Sequence, residues 1–425
     1  PYDEERKSQP YKWHVYNALM LNGSKFVFSM SKNKKDAIKE CEHVFRNIER
    51  LKNREKSDFF EIFRNDSIKK ILKSHKTSKE IKIAYVNAFN SLSNLIIKDK
   101  NSYGIIAGLP WFFQFWSRDI LVSLKALLDL DHRIAERIYF DYLGKIQDDG
   151  RLPNFSVKHG SSILGSADSI GWLFLRSRDI IGEISKNKRI LHSIKKMLKF
   201  IKENKRAVSR LRDNIKKYHL AVEKKEDEYH KVLYEIESYL EKSLMGLLKF
   251  HTKNSFEHNA SKETWMDTDF ENDGRAGFRI ELQALRLNMY RVMFDLTQDQ
   301  KYKILENILR AKVREKFWDG KILADGVDDF TIRPNVFIAA YAYPELLSKE
   351  EWEKCLENAL ESLWLHWGGL STIDKSHKLF TEVSTGEDKK SYHRGDSWFW
   401  MNNMSALVMS RLNHHKFDER ITKIM

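Results

Sequence analysis

Apolar residues recur every three or four positions along most of the chain after Asp36. This spacing puts them on one face of an α-helix and predicts a succession of amphipathic helices. The predicted helices, in chain order, span residues 36–54, 57–74, 78–98, 118–130, 132–146, 168–183, 281–296, 299–316, 334–347, 350–365 and 397–412. Strands do not alternate with these helices, which argues against a parallel sheet. The pattern therefore predicts an all-α fold of helical hairpins.

A second pattern occupies residues 186–250, which are rich in Lys, Glu and Leu. Neither Pro nor Gly occurs between Glu183 and Met245, and apolar residues follow near-heptad spacing. We expect two long antiparallel helices with a break near Val222–Asp227, which form a helical hairpin insertion. A partner-docking arm is the functional alternative to this structural interpretation.

The N-terminal residues follow a different pattern. Lys25–Met30 carries aromatic and β-branched residues with partial alternation, which is typical of a strand. One strand is not stable alone, so we interpret 1–35 as the edge or remnant of a β-domain, or as a strand that pairs with another chain. The predicted organisation is this remnant, a helical linker at 36–77 and a toroid of helix pairs at 78–425. Loops at one end of such a ring converge, which suits a site assembled from scattered motifs.

Composition supports a large helical core and narrows the possible partners. The chain is 42% hydrophobic and contains 25 Phe, 16 Tyr and 11 Trp. The net charge is +14, but Lys and Glu are mixed along the helices, which favours a solvated surface over nucleic-acid binding. Two cysteines, Cys41 and Cys355, favour a reducing compartment, so we expect a cytoplasmic protein. No apolar run has the length that spans a bilayer, so we expect no membrane partner.

The first candidate for chemistry is the aromatic segment Trp111–Asp119. Aromatic faces stack on the apolar faces of sugar rings, and an Arg–Asp pair can bond to vicinal hydroxyls. Arg118 and Asp119 stand where an amphipathic helix begins. The same residues are also compatible with a core cluster and an Asp that caps the helix.

The second candidate is Asp267 in the segment Glu263–Thr268. Trp265 precedes it by two residues, and an aromatic neighbour can desolvate a carboxyl and raise its pKa. A carboxyl that stays protonated can act as a general acid. A turn-capping Asp is the alternative interpretation.

Further polar and aromatic residues stand at the starts of predicted helices. Glu281 lies close to Arg275 and Arg279, so it is either a salt-bridged cap or a ligand for sugar hydroxyls. Four others are compatible with a cap or core role as well as with a site: Asp168, Trp172, Arg333 and the segment Tyr392–Trp400. Spacings typical of metal, phosphate or dinucleotide sites are absent, so we expect no metal and no cofactor. Carboxylates among Trp and Arg favour glycosidic-bond chemistry.

As a set, these motifs resemble those of a known family. Pro110–Leu124 resembles the PWF…W-x-R-D…SL signature of the amylo-α-1,6-glucosidase module of glycogen debranching enzymes, especially their archaeal branch. Glu263–Asp267 is similar to its TWMD motif, and Glu281–Leu285 to its E-x-N/Q-A-L helix. Arg333–Asn335 resembles its RPN turn, and His393–Trp398 its H-x-G-x-x-W loop. The resemblance runs from about residue 80 to the end, with the motifs in the right order.

The resemblance implies an (α/α)6 toroid of the glucoamylase type. It implies hydrolysis of the α-1,6-linked glucose stub at a branch point of glycogen or a similar α-glucan, with inversion. Asp267 would be the general acid. The residues expected to bind substrate, from residue type or from the resemblance, are Trp111, Trp116, Arg118, Asp119, Asp168, Trp172, Trp265, Glu281, Arg333, His393 and Trp398.

The chain departs from the family pattern after Trp398–Leu412. The family places its catalytic base, a Glu, beyond this helix and ahead of a closing Q-A-W-S helix, and neither feature is present. We therefore expect a toroid without its last helix pair, and a base supplied by a C-terminal segment or a second polypeptide. Asp396 and Glu382 are the local substitutes. The alternative functions are a catalytically silent glycogen-binding or scaffold subunit and a glucoamylase-type exo-glucosidase.

Overall fold

The computed structural model describes residues 27, 29, 31, 33–75, 77–99, 102–108, 112, 114–156, 165–183, 185–186, 212–386 and 388–425. Two compact units are present, Pro1–Lys69 and Lys70–Met425. The strand predicted at Lys25–Met30 falls almost wholly outside the described residues, and so does the first arm of the hairpin predicted at 186–250.

The N-terminal helices break at other positions than the sequence predicted: the predicted helix 36–54 is divided at Asn47, and the next helix runs through the predicted gap at 55–56. Helix α1 spans Lys34–Arg46, α2 spans Ile48–Ile62 and α3 spans Asp66–Lys73. The predicted helix 57–74 is therefore interrupted. The reason is Asn65, whose side chain accepts hydrogen bonds from the backbone of Ser67 and Ile68 and so caps a new helix.

The second unit contains most of the helices. They are α4 (Lys79–Leu95), α5 (Ser117–Leu130), α6 (His132–Leu143), α7 (169–183), α8 (Arg212–Phe250), α9 (Ile280–Thr297), α10 (Gln300–Phe317), α11 (Asn335–Ala342), α12 (Lys349–Leu363), α13 (Lys389–Tyr392) and α14 (Phe399–Ile424). A 3-10 turn, Pro344–Leu346, follows α11. The prediction of a mostly helical fold is confirmed for the described residues.

Three short antiparallel ribbons supplement the helices. Strands β1 (Ile96–Asp99) and β2 (Ser102–Ile105) pair with Ile96 opposite Ile105. The ribbon β3 (Phe115–Trp116) with β4 (Phe155–Ser156) precedes α5, and β5 (Thr252–Lys253) with β6 (Phe256–Glu257) follows α8. The helix predicted to reach residue 98 ends at Leu95, because the β-branched pair that follows extends into β1.

Helix α8 corrects one expectation. Its 39 residues run without interruption through Val222–Asp227, so the break predicted there is wrong. No Pro or Gly stands in that stretch, and nothing interrupts the backbone hydrogen-bond ladder. Helix α14 consists of two helical segments that meet at Asn413, whose backbone angles are non-helical, so the helix end predicted at 412 coincides with this break.

The core surrounds α9. This helix buries residues on all sides and packs against α8, α10 and α11, while α14 packs on α11 and α12. Gly171 of α7 permits a close approach to α9, since a Cβ there would lie 2.6 Å from the Cβ of Leu285. In the part of the chain that the structure describes, no helix combines the length and apolarity that crossing a membrane requires.

Candidate active site

The first wall of the site joins the starts of α5 and α7. Arg118, in the first turn of α5, donates two hydrogen bonds to Asp168 just ahead of α7, from Nε at 2.7 Å and from Nη2 at 2.9 Å. Asp168 is 2% exposed and also accepts a bond from Ser166. This bidentate pair fixes the plane of the guanidinium. The structure therefore brings together two residues that lie 50 positions apart in the sequence.

Asp119, the next residue, is exposed at the start of α5. Desolvation by the surrounding protein raises the pKa of its carboxyl, against the opposing effect of Arg118. Asp168 and Asp267 raise the same pKa by repulsion, which places the three carboxyls within electrostatic reach of one another.

Asp267 approaches Arg118 and Asp119 from a different part of the chain. It is half-buried, and burial raises the pKa of its carboxyl, whereas Arg118 acts in the opposite direction. Its neighbours Thr264, Trp265 and Met266 are all buried. A carboxyl that keeps its proton to a higher pH is suited to proton donation. The environment that the sequence predicted for Asp267 is thus present, although its catalytic role stays a prediction.

Trp265 and Trp172 contribute to an aromatic core under the site. Trp265 is 4% exposed, donates its indole N–H to Asn335 at 2.7 Å, and packs edge-on against Trp398 and Trp400. Trp172 is 1% exposed and lies edge-on to Trp400. For both residues the geometry supports a role in holding the site together rather than direct contact with sugar.

His393 and Trp398 belong to the loop before α14. Their rings stack with centroids 5.4 Å apart and planes 22° apart. His393 bonds through Nδ1 to Thr268 at 2.9 Å, and Trp398 donates its indole N–H to the Tyr392 carbonyl. Burial, with Arg394 and other nearby cations, holds the pKa of His393 well below its ordinary value. His393 is therefore neutral at ordinary pH.

Glu281 is the clearest case in which the structure favours one of two interpretations. It is fully buried, and both of its oxygens accept bonds from Arg275, at 2.9 and 3.1 Å. Arg275 also makes two bonds to Asp325, each 2.8 Å long. Burial raises the pKa of Glu281, and the adjacent cations depress the pKa of Asp325 despite its burial. Glu281 is thus a salt-bridged residue beneath the site.

Arg333 is likewise enclosed. It is 3% exposed, donates to Asp273 at 2.7 Å and donates to the carbonyl of His393 at 3.1 Å. It ties the loop before α14 to the loop that carries Asp267. Sequence reasoning missed Asp273 and Asp325. The Asn-Asp-Gly turn at 272–274, where Asn272 has a positive φ of 65°, could have marked Asp273, whereas no local pattern marks Asp325.

The remaining predicted residues are Trp116, Trp111 and the two local substitutes for the general base. Trp116 is half-buried and packs on Phe155, with ring centroids 4.9 Å apart. Trp111 lies outside the described residues. Of the two substitutes considered for the general base, Asp396 accepts a bond from Ser391 at 3.0 Å, and Glu382 is exposed. Neither forms a hydrogen bond or ion pair with Asp267 or Arg118 among the described residues. Within the same ranges, no group of His, Cys, Asp and Glu has metal-binding geometry.

Carboxyls of raised pKa beside a fixed arginine are compatible with glycosidic-bond chemistry, and the family match assigns the chain to the glycoside hydrolases. The model of the family described as Amylo-alpha-1,6-glucosidase matches residues 67–424. The chain belongs to this family. No match is found among curated proteins.

Solved structures show weaker likeness. A GH63 mannosylglycerate hydrolase from Thermus thermophilus, in complex with Tris and D-glycerate, is 12% identical; the match covers 79% of this chain and 89% of that chain, with a TM-score of 0.48. An uncharacterized conserved protein from the same organism is 11% identical, with 76% and 87% covered and a TM-score of 0.45. A wild-type glycosidase is 9% identical, with 79% and 80% covered and a TM-score of 0.49. Likenesses this weak carry no inference about the substrate.

Proposed function

We propose that this chain hydrolyses the α-1,6-linked glucose stub at branch points of glycogen or limit dextrin, with inversion, and that Asp267 is its general acid. The observation that carries the proposal is that Asp267, a half-buried carboxyl of raised pKa, lies within electrostatic reach of Arg118 and Asp119 in a chain of the amylo-α-1,6-glucosidase family. We also propose that the helix pairs belong to an (α/α)6 toroid, which would set these loops around one funnel.

The reaction assigns different tasks to the two walls. Arg118, oriented by Asp168, and Asp119 would bond to hydroxyls of the terminal glucose, and Trp116 would flank its ring, with Trp111 on the same segment. Asp267 would donate its proton to the glycosidic oxygen as the bond to the leaving glucan breaks. The buried and half-buried residues around them would hold these groups in position: Glu281, Arg333, His393, Trp172, Trp265 and Trp398.

An inverting reaction also needs a base about 6.5–9.5 Å from the acid carboxyl, with room for water between base and sugar. We propose that a C-terminal segment or a partner chain supplies it. This part of the proposal rests on the family pattern, in which the base is a Glu beyond the helix that follows the H-x-G-x-x-W loop. No cofactor or metal takes part in the scheme.

The test measures glucose released from a phosphorylase limit dextrin, by the chain alone and with the segment or copurifying polypeptide that complements it. Asp267→Asn should lower the rate about 10²–10⁴-fold, since the proton donor is lost. Asp269→Asn, an exposed carboxyl in the same loop, serves as the matched control and should retain the rate. Equal rates for Asp267→Asn and wild type would show that Asp267 is not the acid.

Two other outcomes would redirect the proposal. Tight glycogen binding without turnover under any complementation would favour a silent binding or scaffold subunit. Preference for α-1,4 ends over α-1,6 stubs would favour a glucoamylase-type exo-glucosidase.

A further inference from the structure

The three residues before Asp267, which are Thr264, Trp265 and Met266, are each held by contacts of their side chains. Arg275 donates to Thr264 Oγ1 at 2.8 Å, and Trp265 donates to Asn335 at 2.7 Å. The sulfur of Met266 lies 3.7 Å from Arg333 Nη1. The carboxyl of Asp267, by contrast, bonds only to its own backbone among the described residues. Its direction is therefore set by the anchoring of its neighbours.

On the C-terminal side, one buried cation makes most of the anchoring contacts, alongside the bonds of His393 to Thr268 and of Arg333 to Asp273. Arg394 is fully buried, and its Nη1 and Nη2 donate to Oγ1 and to the carbonyl of Thr268, at 3.1 and 3.2 Å. Nη2 also donates to the Asp273 carbonyl at 2.7 Å, and Nε forms a 2.9 Å ion pair with the Asp273 carboxylate. The guanidinium lies over the ring of Phe270, 5.7 Å from its centroid. One side chain thus holds both ends of the turn that follows the acid.

We propose that Arg394 is a positioning residue for the reaction, because it fixes Thr268 and thereby the direction in which the Asp267 carboxyl meets the leaving oxygen. The inference rests on the proposed role of Asp267 as acid. Arg394 itself touches no reacting atom. Arg394 lies in the loop before α14, next to His393, and its bonds connect this loop to the loop that carries Asp267.

The fork geometry of arginine is required here. The two carbonyls of Thr268 and Asp273 face the same Nη2, while Nη1 serves Oγ1, so a single ammonium cannot reproduce the set. A misplacement of about 1 Å in a reacting group can cost about 10²-fold in rate. We therefore expect Arg394→Lys to retain part of the effect and Arg394→Met to lose it.

The experiment compares two substrates that differ in their need for an acid. A branched dextrin has a poor leaving group that must be protonated. In α-glucosyl fluoride the leaving group is the fluoride ion, which departs without protonation by the acid. Arg394→Met should lower kcat on the dextrin about 10–10²-fold, with little change in KM, and lower the rate on the fluoride by no more than about 3-fold. Thr268→Val removes the Oγ1 bonds to Arg394 and His393 but keeps the carbonyl bond to Arg394, so it should shift the ratio in the same direction by less. Arg394→Lys should fall between Arg394→Met and wild type.

Arg286→Met is the matched control, since Arg286 is also fully buried and is engaged by Glu257 in another part of the second unit. It should lower both rates by the same factor, as a purely structural loss would. If the Arg394 and Thr268 variants also lower both rates equally, the positioning role is refuted.

A second measurement does not depend on turnover. Hydrogen exchange of the peptide covering 262–274 should quicken in Arg394→Met, while the peptide covering α12 should exchange as in wild type. If no glucose is released by the chain either alone or with the segment or polypeptide that complements it, but this exchange quickens, the proposed function fails while the anchoring by Arg394 stands. Unchanged exchange at 262–274 would overturn the inference in either case.

Discussion

Replacement of Arg275 by Met tests the buried ion cluster beneath the site. Arg275 is the ion-pair partner of Glu281 in the structure, whereas Asp325 also pairs with Arg279 and Arg333. The side chains of Arg275, Glu281 and Asp325 are each 1% exposed. The variant therefore leaves Glu281 as a buried carboxylate with no compensating cation.

The structure sets the size of the effect. Removal of one partner of a buried ion pair typically costs about 3–5 kcal/mol, most of it from the charge left behind. Burial already raises the pKa of Glu281 above its ordinary value even with Arg275 in place. Without the cation this pKa rises further, so the penalty is present at pH 7 and disappears below the pKa of the unfolded carboxyl, about 4.3.

Urea unfolding followed by tryptophan fluorescence provides the free energy of unfolding. We expect Arg275→Met to lose about 3–5 kcal/mol at pH 7, and less at pH 4. Adding Glu281→Gln should recover part of the loss, because the orphaned charge is removed. Arg314→Met, at a pair that is 35% exposed, should cost about 1 kcal/mol or less. A loss in Arg275→Met no greater than in Arg314→Met, or a double variant less stable than the single one, would refute this reasoning.

Two further predictions concern stability. Asp267→Asn should raise the free energy of unfolding at pH 7, because a carboxyl whose folded pKa is raised opposes folding once ionised; the gain should vanish as the pH falls below the unfolded value of about 3.9, and a gain that persists there would contradict the assignment. Gly171→Ala should cost about 1–3 kcal/mol, since its Cβ would overlap Leu285, whereas Gly182→Ala in the same helix meets nothing within 4 Å and should be neutral or stabilising. Equal melting temperatures for the two alanine variants would contradict the close packing of α7 on α9.

Local signals predicted the helices of the second unit well and those near the N-terminus less well. The start of α12 is an example of agreement, because Ser348 and Glu351 form a capping box that the sequence displays. The break at Asn65 was missed, since an Asn inside an apolar periodicity caps a helix only if its side chain turns back on the backbone. In α8 the charged stretch Val222–Asp227 contains neither Pro nor Gly, and the helix continues through it although the sequence predicts a break there.

For the site, residue type indicated which segments take part, but it did not indicate the role of each residue in those segments. The sequence indicates Arg118 and Asp267 as site residues because each is a polar residue close to aromatic ones. The structure brings the two within electrostatic reach of each other. Glu281 looked equally suited to bind sugar or to form a salt bridge, and its enclosure by Arg275 favours the second. Arg394 carried no signal of its own, because its partners lie more than 120 residues earlier in the chain.

The sequence by itself determined the helical periodicity, the family, and the segments that carry carboxyls, arginines and aromatic rings. Each of these depends only on residue types and on their spacing over short stretches of the chain. Only the tertiary structure decided which carboxyls are buried, which are paired and which remain open to a ligand. Burial and ion pairing depend on residues brought together from distant loops, such as Arg118 with Asp168 and Arg394 with Thr268. Hydration, charge and direction at Asp267 are therefore properties of the assembled fold rather than of the motif that contains it.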